Sequence, residues 1–430
     1  MKTIHLERRK RLLERFEGIV IVPTAPHHLR NRDSHYPFRF DSHFYYLTGF
    51  TEPEAVLVMI AGPSPKSILF CLEKDMEREI WDGYRYGPDK AKEAFFFDEA
   101  HPIAALEAML PNLLSNQPAV FYPLGQDTKW DAKVLEALNH VRGLARSGVT
   151  APAEMHDIRL EVDEMRLFKD AAEIDVMKRS AHIASNAHKI AMQSTRPGMM
   201  EYEIEAGLLM EFRRSGAQAP SYTPIVAGGA NACILHYIEN NAALKAGDLL
   251  LIDAGCELDG YASDITRTFP VSGKFSPAQK DVYELVLASQ SAALAAVKPG
   301  ASWQSPHEAA VRILAQGFVD LGLLKGSVDS VIESGDYRQF YMHRTGHWLG
   351  LDVHDVGSYK KEDTWRALEP GMVLTVEPGC YIRPAANVPE AYWNIGIRIE
   401  DDVHVTEAGH EILSFETPKT VAAIEEWMRQ

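Results

Sequence analysis

Along the first third of the chain, short apolar runs bounded by glycine and proline alternate with stretches whose apolar positions recur every three or four residues. Ile19-Val20-Ile21-Val22 and the run from Ala55 to Ile60 are of the first kind and predict buried strands. The spacing near 103–114 and 132–142 predicts helices. Together they predict an α/β unit over residues 1–165. The opening MKTIHLERRKRLLERF is basic, but further charges follow where a secretory leader needs an apolar stretch. A helix packed on the first unit is expected there. The boundary is expected within 150–170, where Ala151-Pro152-Ala153 precedes a charged segment running from Glu161 to Asp170.

The second part, residues 166–430, opens with a helix. Asp170 is a candidate N-cap with Glu173 three residues on, and Ile174, Met177, Ala181, Ala184 and Ala187 recur at helical spacing. Arg196-Pro197-Gly198 ends it, and a second helix is expected from Glu201 to Ser215, stopping at Gly216. Ser276-Pro277-Ala278-Gln279 and Ser305-Pro306-His307-Glu308 both predict helix starts with serine as cap. Strands are expected from Asp248 to Asp253, from Gly260 to Phe269, from Met372 to Glu377 and from Asn394 to Val405. The first two are close enough in sequence to form an antiparallel hairpin. Two helix pairs separated by strands point to a mixed α/β (α+β) unit with a duplicated half, although no clear sequence repeat accompanies it.

With 430 residues, two domains of unequal size are expected. The formal net charge of −16 argues against nucleic acid and against an anionic membrane as partners. The four cysteines, Cys71, Cys233, Cys256 and Cys380, form no CxxC pair, and Cys233, Cys256 and Cys380 lie in apolar segments that predict buried reduced thiols. No apolar run reaches the roughly 18 residues of a membrane span, and a cytoplasmic location is expected.

The acids carry the chemistry. Asp253 closes a Leu-Leu-Ile run, where an unpaired carboxylate is costly to bury. A hairpin brings Asp264 beside it, and two adjacent carboxylates need a proton or a cation between them. Glu377 ends another apolar strand, and the alternation of Ile397 and Ile399 puts Arg398 and Glu400 on the opposite face. The segment YMHRTGHWLGLDVHD adds His343, His347 and His354. His343 and His347 have the spacing of a zinc-protease helix, but Arg344 stands where that motif has glutamate, and Gly346 and Gly350 break a helix. His236 is a further candidate on an apolar segment. Oxygen-rich ligation with one imidazole favours manganese, with cobalt, iron and zinc as alternatives.

In order and surroundings, Asp253, Asp264, His347, Glu377 and Glu400 resemble the ligands of the pita-bread metallopeptidases, within IDAG, DITRTF, HWLGLDVHD, VEPG and GIRIED. Along nearly the whole chain the resemblance is to the bacterial aminopeptidase P subfamily, through RNRDSHYPFR at 30–39 and YLTGFTEPEA at 46–55. It implies a pita-bread catalytic domain over 166–430 behind a smaller creatinase-type α/β domain over 1–165 that serves oligomerisation and substrate gating. It implies two divalent ions bridged by Asp264 and Glu400, with Asp253 completing one, His347 and Glu377 the other, and a bridging water. Glu377 is then the proton shuttle, and His236 and His354 contact the substrate. His343 and Arg398 hold the proline side or orient ligands, and the substrate amine meets a metal or Asp253. The implied reaction is release of the N-terminal residue from peptides with proline second. Tyr381 and Trp348 are candidate walls of a proline pocket, with core packing as the alternative for each, and Trp81 is expected as a residue reaching the active site of a neighbouring subunit of a homodimer or homotetramer. The rivals are prolidase, which shares the ligands and takes dipeptides only, methionine aminopeptidase, which lacks the long first domain, and a non-catalytic pita-bread binding protein.

Overall fold

A computed structural model of the chain describes residues 2–429 and divides into two compact units between Met165 and Arg166. The first unit is built on a six-stranded sheet in the order Glu99–Pro102, Lys66–Cys71, Val56–Ala61, Gly18–Pro23, Ala119–Tyr122, Glu154–Asp157. The Val56–Ala61 strand runs antiparallel to both neighbours, and the other three pairings are parallel. Helices Leu106–Leu114 and Thr128–Gly143 bury Leu106, Leu110, Leu114, Val134, Leu138 and Val141 against Ile19, Ile21, Val58, Ile68 and Phe70. Helices Lys2–Leu13 and Ser42–Thr48 also pack on the central strands. Central strands so covered read as unbroken apolar runs. The basic N-terminal helix turns two of its charges inward. Arg8 donates to Tyr46 O, and Arg9 donates to the carbonyls of Leu47, Phe95 and Phe96, so the two guanidinium groups satisfy carbonyls at the C-terminal ends of helices Ser42–Thr48 and Gly87–Phe95.

The second unit has four long helices, Ala171–Ser194, Glu201–Arg214, Pro277–Ala296 and Ser305–Asp320, with short antiparallel sheets. Asp170 caps the first helix with a complete capping box to Glu173, a device worth about 1 kcal/mol. Ser276 and Gln279 repeat that box. Ser305 does not cap: it is already helical, and the preceding turn uses Ser302, whose Oγ accepts from Gln304 N. One sheet orders Ile225–Gly228, Leu249–Asp253 and Thr266–Pro270. Another orders Val373–Val376, Asp401–Thr406 and Gly409–Ile412, and Gly379–Ile382 pairs with Ile395–Arg398.

The expected hairpin is split. Thr266–Pro270 pairs with Leu249–Asp253, whereas Tyr261–Ala262 pairs with Cys256–Leu258 in a separate sheet. Between them the chain bends through Ser263–Ile265. The bend depends on Gly255, where a Cβ would stand 1.7 Å from the carbonyl oxygen of Ser263. That close approach sets Asp264 beside Asp253. The four cysteines are buried and unpaired.

Candidate metal centre

Each acid reaches the centre from the end of a strand or from a break between strands. Asp253 closes Leu249–Asp253 opposite Thr266. Glu377 follows Val373–Val376 directly, and Glu400 occupies the break between Ile395–Arg398 and Asp401–Thr406. Glu400 N donates to Thr266 O at 3.1 Å, which ties that break to the first sheet. His347 lies in an extended loop, not a helix, against Thr375: His347 N donates to Thr375 Oγ1 and Thr375 N donates to His347 O. Gly346 makes this possible, since a Cβ there would meet Thr375 O at 2.0 Å.

Asp264, His347 and Glu400 each present a ligand atom, and the three atoms lie within 4.8 Å of one another. Ligands held at about 2.0–2.2 Å from one ion stand up to about 4.4 Å apart, so the gap is of the right order for a cation. His347 Nδ1 is 2.9 Å from Trp348 O. A carbonyl only accepts, so Nδ1 carries hydrogen and Nε2 faces Asp264 Oδ2 at 3.3 Å and Glu377 Oε1 at 3.6 Å.

The electrostatics are those of acids that lack counterions. Burial, then the neighbouring carboxylates, push Glu400 well above the ordinary range; burial and the charge of Asp253 raise Asp264. Burial raises Glu377 to about 7 against the opposing pull of His347. Burial disfavours the His347 cation, but the hydrogen bond to Asp264 and the charge of Glu377 prevail and raise it to about 9. Among the described residues no lysine or arginine pairs with Asp264, Glu377 or Glu400. Asp401, next in the chain, shows the contrast. It accepts from Arg267, Lys419, Gln290 and Ser414 and is held down at about 2 despite full burial.

Asp253 differs from the other cluster acids. Arg398 Nη2 donates to its Oδ2 at 2.6 Å, and against burial this charge holds its carboxyl below the usual range. Tyr222 Oη stands 2.5 Å from both Asp253 Oδ1 and Asp264 Oδ1. A hydroxyl has one hydrogen to give, so it satisfies one carboxylate and leaves the other to a proton or a cation. The donor set therefore fits divalent metal: hard oxygens, one imidazole in the correct tautomer, and too few donors to close the site without an ion.

These groups line a cavity of about 720 Å³. His236 and His354 are exposed and line it; the His354 ring stands edge-on to His347 at 4.3 Å. His343 and Arg398 also line it. Trp348 and Tyr381 do not form its wall. Trp348 is fully buried, packed against Trp303 and Tyr359, because its strand-like segment turns the indole into the core as it turns His347 out. Tyr381 lies beneath the floor at 1 % exposure, its hydroxyl bonded to His343 Nε2 and Arg398 Nη1. The aromatic wall is Trp303, Tyr359 and Trp365 instead. Trp81 belongs to the first unit, on helix Met76–Asp82, and is 84 % exposed. Sequence reasoning missed Tyr222, whose loop setting in Ser-Tyr-Thr-Pro carries no periodic signal. It also missed Thr266, whose Oγ1 donates to Glu400 Oε2 at 2.6 Å. Thr266 was legible only as one polar residue in an alternating strand.

Residues 175–407 match the model of metallopeptidase family M24, and residues 5–122 match the aminopeptidase P N-terminal domain. The chain is 48% identical over 425 residues to the Xaa-Pro aminopeptidase of Escherichia coli, covering 98% of this chain and 96% of that one. It is 49% identical over 400 residues to the Xaa-Pro aminopeptidase of Haemophilus influenzae, covering 93% and 90%. Its structure superposes on Pseudomonas aeruginosa aminopeptidase PepP with a TM-score of 0.98 at 50% identity, over 100% of this chain and 98% of that one. The second unit is accordingly a pita-bread domain, and the first is of the aminopeptidase P type. The chain is a metallopeptidase that belongs to family M24, in its aminopeptidase P branch.

Proposed function

We propose that this enzyme removes the first residue of peptides with proline in second position, using two divalent ions, manganese the expected pair. The observation that carries the reading is the convergence of Asp264, His347 and Glu400 on one point, with Glu377 beside them and, among the described residues, no lysine or arginine paired with these acids. Asp253, Asp264, His347, Glu377 and Glu400 would hold the ions, with Asp264 and Glu400 as the bridges, Asp253 completing one and His347 and Glu377 the other. When bound, such a pair supplies a water acidic enough to attack near neutral pH and a Lewis acid for the scissile carbonyl.

The chain's own residues do the rest. Glu377 takes and returns a proton at a carboxylate oxygen. Thr375 Oγ1 lies 3.3 Å from Glu377 Oε1 and orients it. His236 and His354 line the cavity and can donate to the oxygen that gains charge as the carbonyl carbon becomes tetrahedral. His343 positions. Its Nδ1 donates to Arg344 O at 2.7 Å, and burial holds its pKa down at about 3, so Nε2 accepts from Tyr381 Oη, which accepts from Arg398 Nη1. With both nitrogens engaged, His343 offers its ring to the substrate. Proline presents a ring and no N–H to the enzyme. A wall of Trp303, Tyr359, Trp365 and the His343 ring asks for no donor there.

Prolidase is disfavoured: relatives matched along nearly the whole chain are named Xaa-Pro aminopeptidase. The cytoplasm fits four buried, unpaired cysteines, and no described helix is long and apolar enough to cross a membrane. A homodimer or homotetramer fits the exposed Met76, Ile80, Trp81 and Tyr84 of the first unit, with Trp81 as the residue offered to a neighbouring copy.

The test is cleavage of Ala-Pro-Leu and of Ala-Pro by chelator-treated protein with manganese added back. Release of alanine from the tripeptide, lost in Asp264→Asn and Glu400→Gln, supports the reading. Turnover of the dipeptide alone overturns it in favour of prolidase. Turnover untouched by either substitution overturns the bridging assignment.

A further inference from the structure

One charged side chain in the cavity is unused by the chemistry above. Arg344 lines the same cavity as the acids, is exposed, and among the described residues pairs with no carboxylate. Its Nη2 donates to the neutral Gln304 Oε1. Its guanidinium carbon lies 5.1 Å from the centre of the Trp365 ring, within cation–π range. Trp365 is itself held in a short hairpin, Lys360–Lys361 with Thr364–Trp365, where Lys360 is its cross-strand partner. Lys360 Nζ lies 4.7 Å from the centre of the same ring, so two cations share one indole. The cavity is thus lined by four acids, Asp253, Asp264, Glu377 and Glu400, and by Trp365, an aromatic side chain that carries positive charge from Arg344 and Lys360. A cation so placed among acids would be expected to pair with one of them. Trp365 and Gln304 keep it out along the wall, with most of its five N–H donors unassigned.

The geometry points to Arg344 as a subsite for the C-terminal carboxylate of a short peptide, with Trp365 fixing the guanidinium and Lys360 adding to its field. The inference rests on the aminopeptidase reading and deepens it. The substrate's positive end belongs at the acids and its negative end at Arg344, so peptides short enough to span the cavity bind by both termini. Arginine suits the task because its planar fork takes a carboxylate by two hydrogen bonds. Short peptides with a free carboxylate are therefore preferred over the same peptides capped as amides.

The experiment compares Ala-Pro-Leu with Ala-Pro-Leu amide for the wild type and for Arg344→Met. A charge-assisted bond of this kind corresponds to a preference of about tenfold in kcat/KM for the free acid. That preference should sit in KM, fall to about one in Arg344→Met, and recover in part in Arg344→Lys. Binding of the product dipeptide Pro-Leu and of Pro-Leu amide, measured by calorimetry, should show the same split without turnover. Equal kcat/KM for acid and amide in the wild type, or an unchanged ratio in Arg344→Met, overturns the subsite while leaving the aminopeptidase reading intact. Failure of the wild type to cleave either peptide overturns both.

Discussion

Arg398 Nη2 donates to Asp253 Oδ2 at 2.6 Å, and this is the ion pair that separates Asp253 from the other acids of the centre. Arg398 is 4 % exposed and also bonds Tyr381 and Thr266. Removing it leaves a buried carboxylate without its cation, which costs about 3–5 kcal/mol. Arg398→Met should lower the stability of the metal-free protein by that order, and added manganese should restore part of it. Urea denaturation with and without the ion measures both; a metal-free variant as stable as the wild type would refute the account.

The metal-free protein should lose stability as pH rises from about 6.5 to 9. Glu377 is raised to about 7 and His347 to about 9, with Asp264 and Glu400 also raised. A group whose folded pKa exceeds its unfolded one stabilises at low pH and ceases to do so as pH passes the folded value. Below about 6.5 the slope is opposed, because His5, His188 and His307 are lowered to about 4 and His343 to about 3. Bound metal replaces the protons, so ion affinity should climb over the same pH range. Thermal unfolding at both pH values, with chelator and with manganese, checks the sign; stability rising with pH in chelator contradicts it.

Tyr222 Oη touches Asp253 and Asp264 at once. It stays protonated, since burial and then both acids push its pKa far up. Tyr222→Phe should weaken metal binding about 10- to 100-fold, the usual effect of losing a group that orients ligands. Competition against a fluorescent chelator gives the value. Unaltered affinity would make Tyr222 a mere packing residue.

Trp348 is a core residue and not a pocket wall. Trp348→Ala should destabilise the protein by about 3–5 kcal/mol through the void it leaves. A change in KM for proline peptides with full stability would return it to the wall.

The grouping of Asp253, Asp264, His347, Glu377 and Glu400 around one cavity was legible because the acids sit where a carboxylate is expensive to bury, and because the motifs around all five resemble one family. Helix starts at Asp170 and Ser276 were legible from local capping chemistry alone. Ser305 was not, because a turn formed by earlier residues took over its role. The split of the hairpin at Ser263–Ile265 depends on the close approach of Gly255 to Ser263, a tertiary fact with no periodic trace. For Trp348 and Tyr381 the sequence left wall and core open for a similar reason, and both are core. A large aromatic beside a ligand in sequence faces core or cavity according to the local twist of the chain. Tyr222 and Arg344 sit in loops, where pattern says nothing about which way a side chain points.

The cavity-lining residues Asp253, Asp264, His347, Glu377 and Glu400 come from separate strand ends and loops, joined by hydrogen bonds such as Thr266 to Glu400 and by no disulfide. A fragment of the second unit that lacks any one of these segments therefore cannot keep the full set of donors. Retention of ions through dilution becomes a direct assay of structural integrity across that whole unit, readable in any preparation before a single peptide is added.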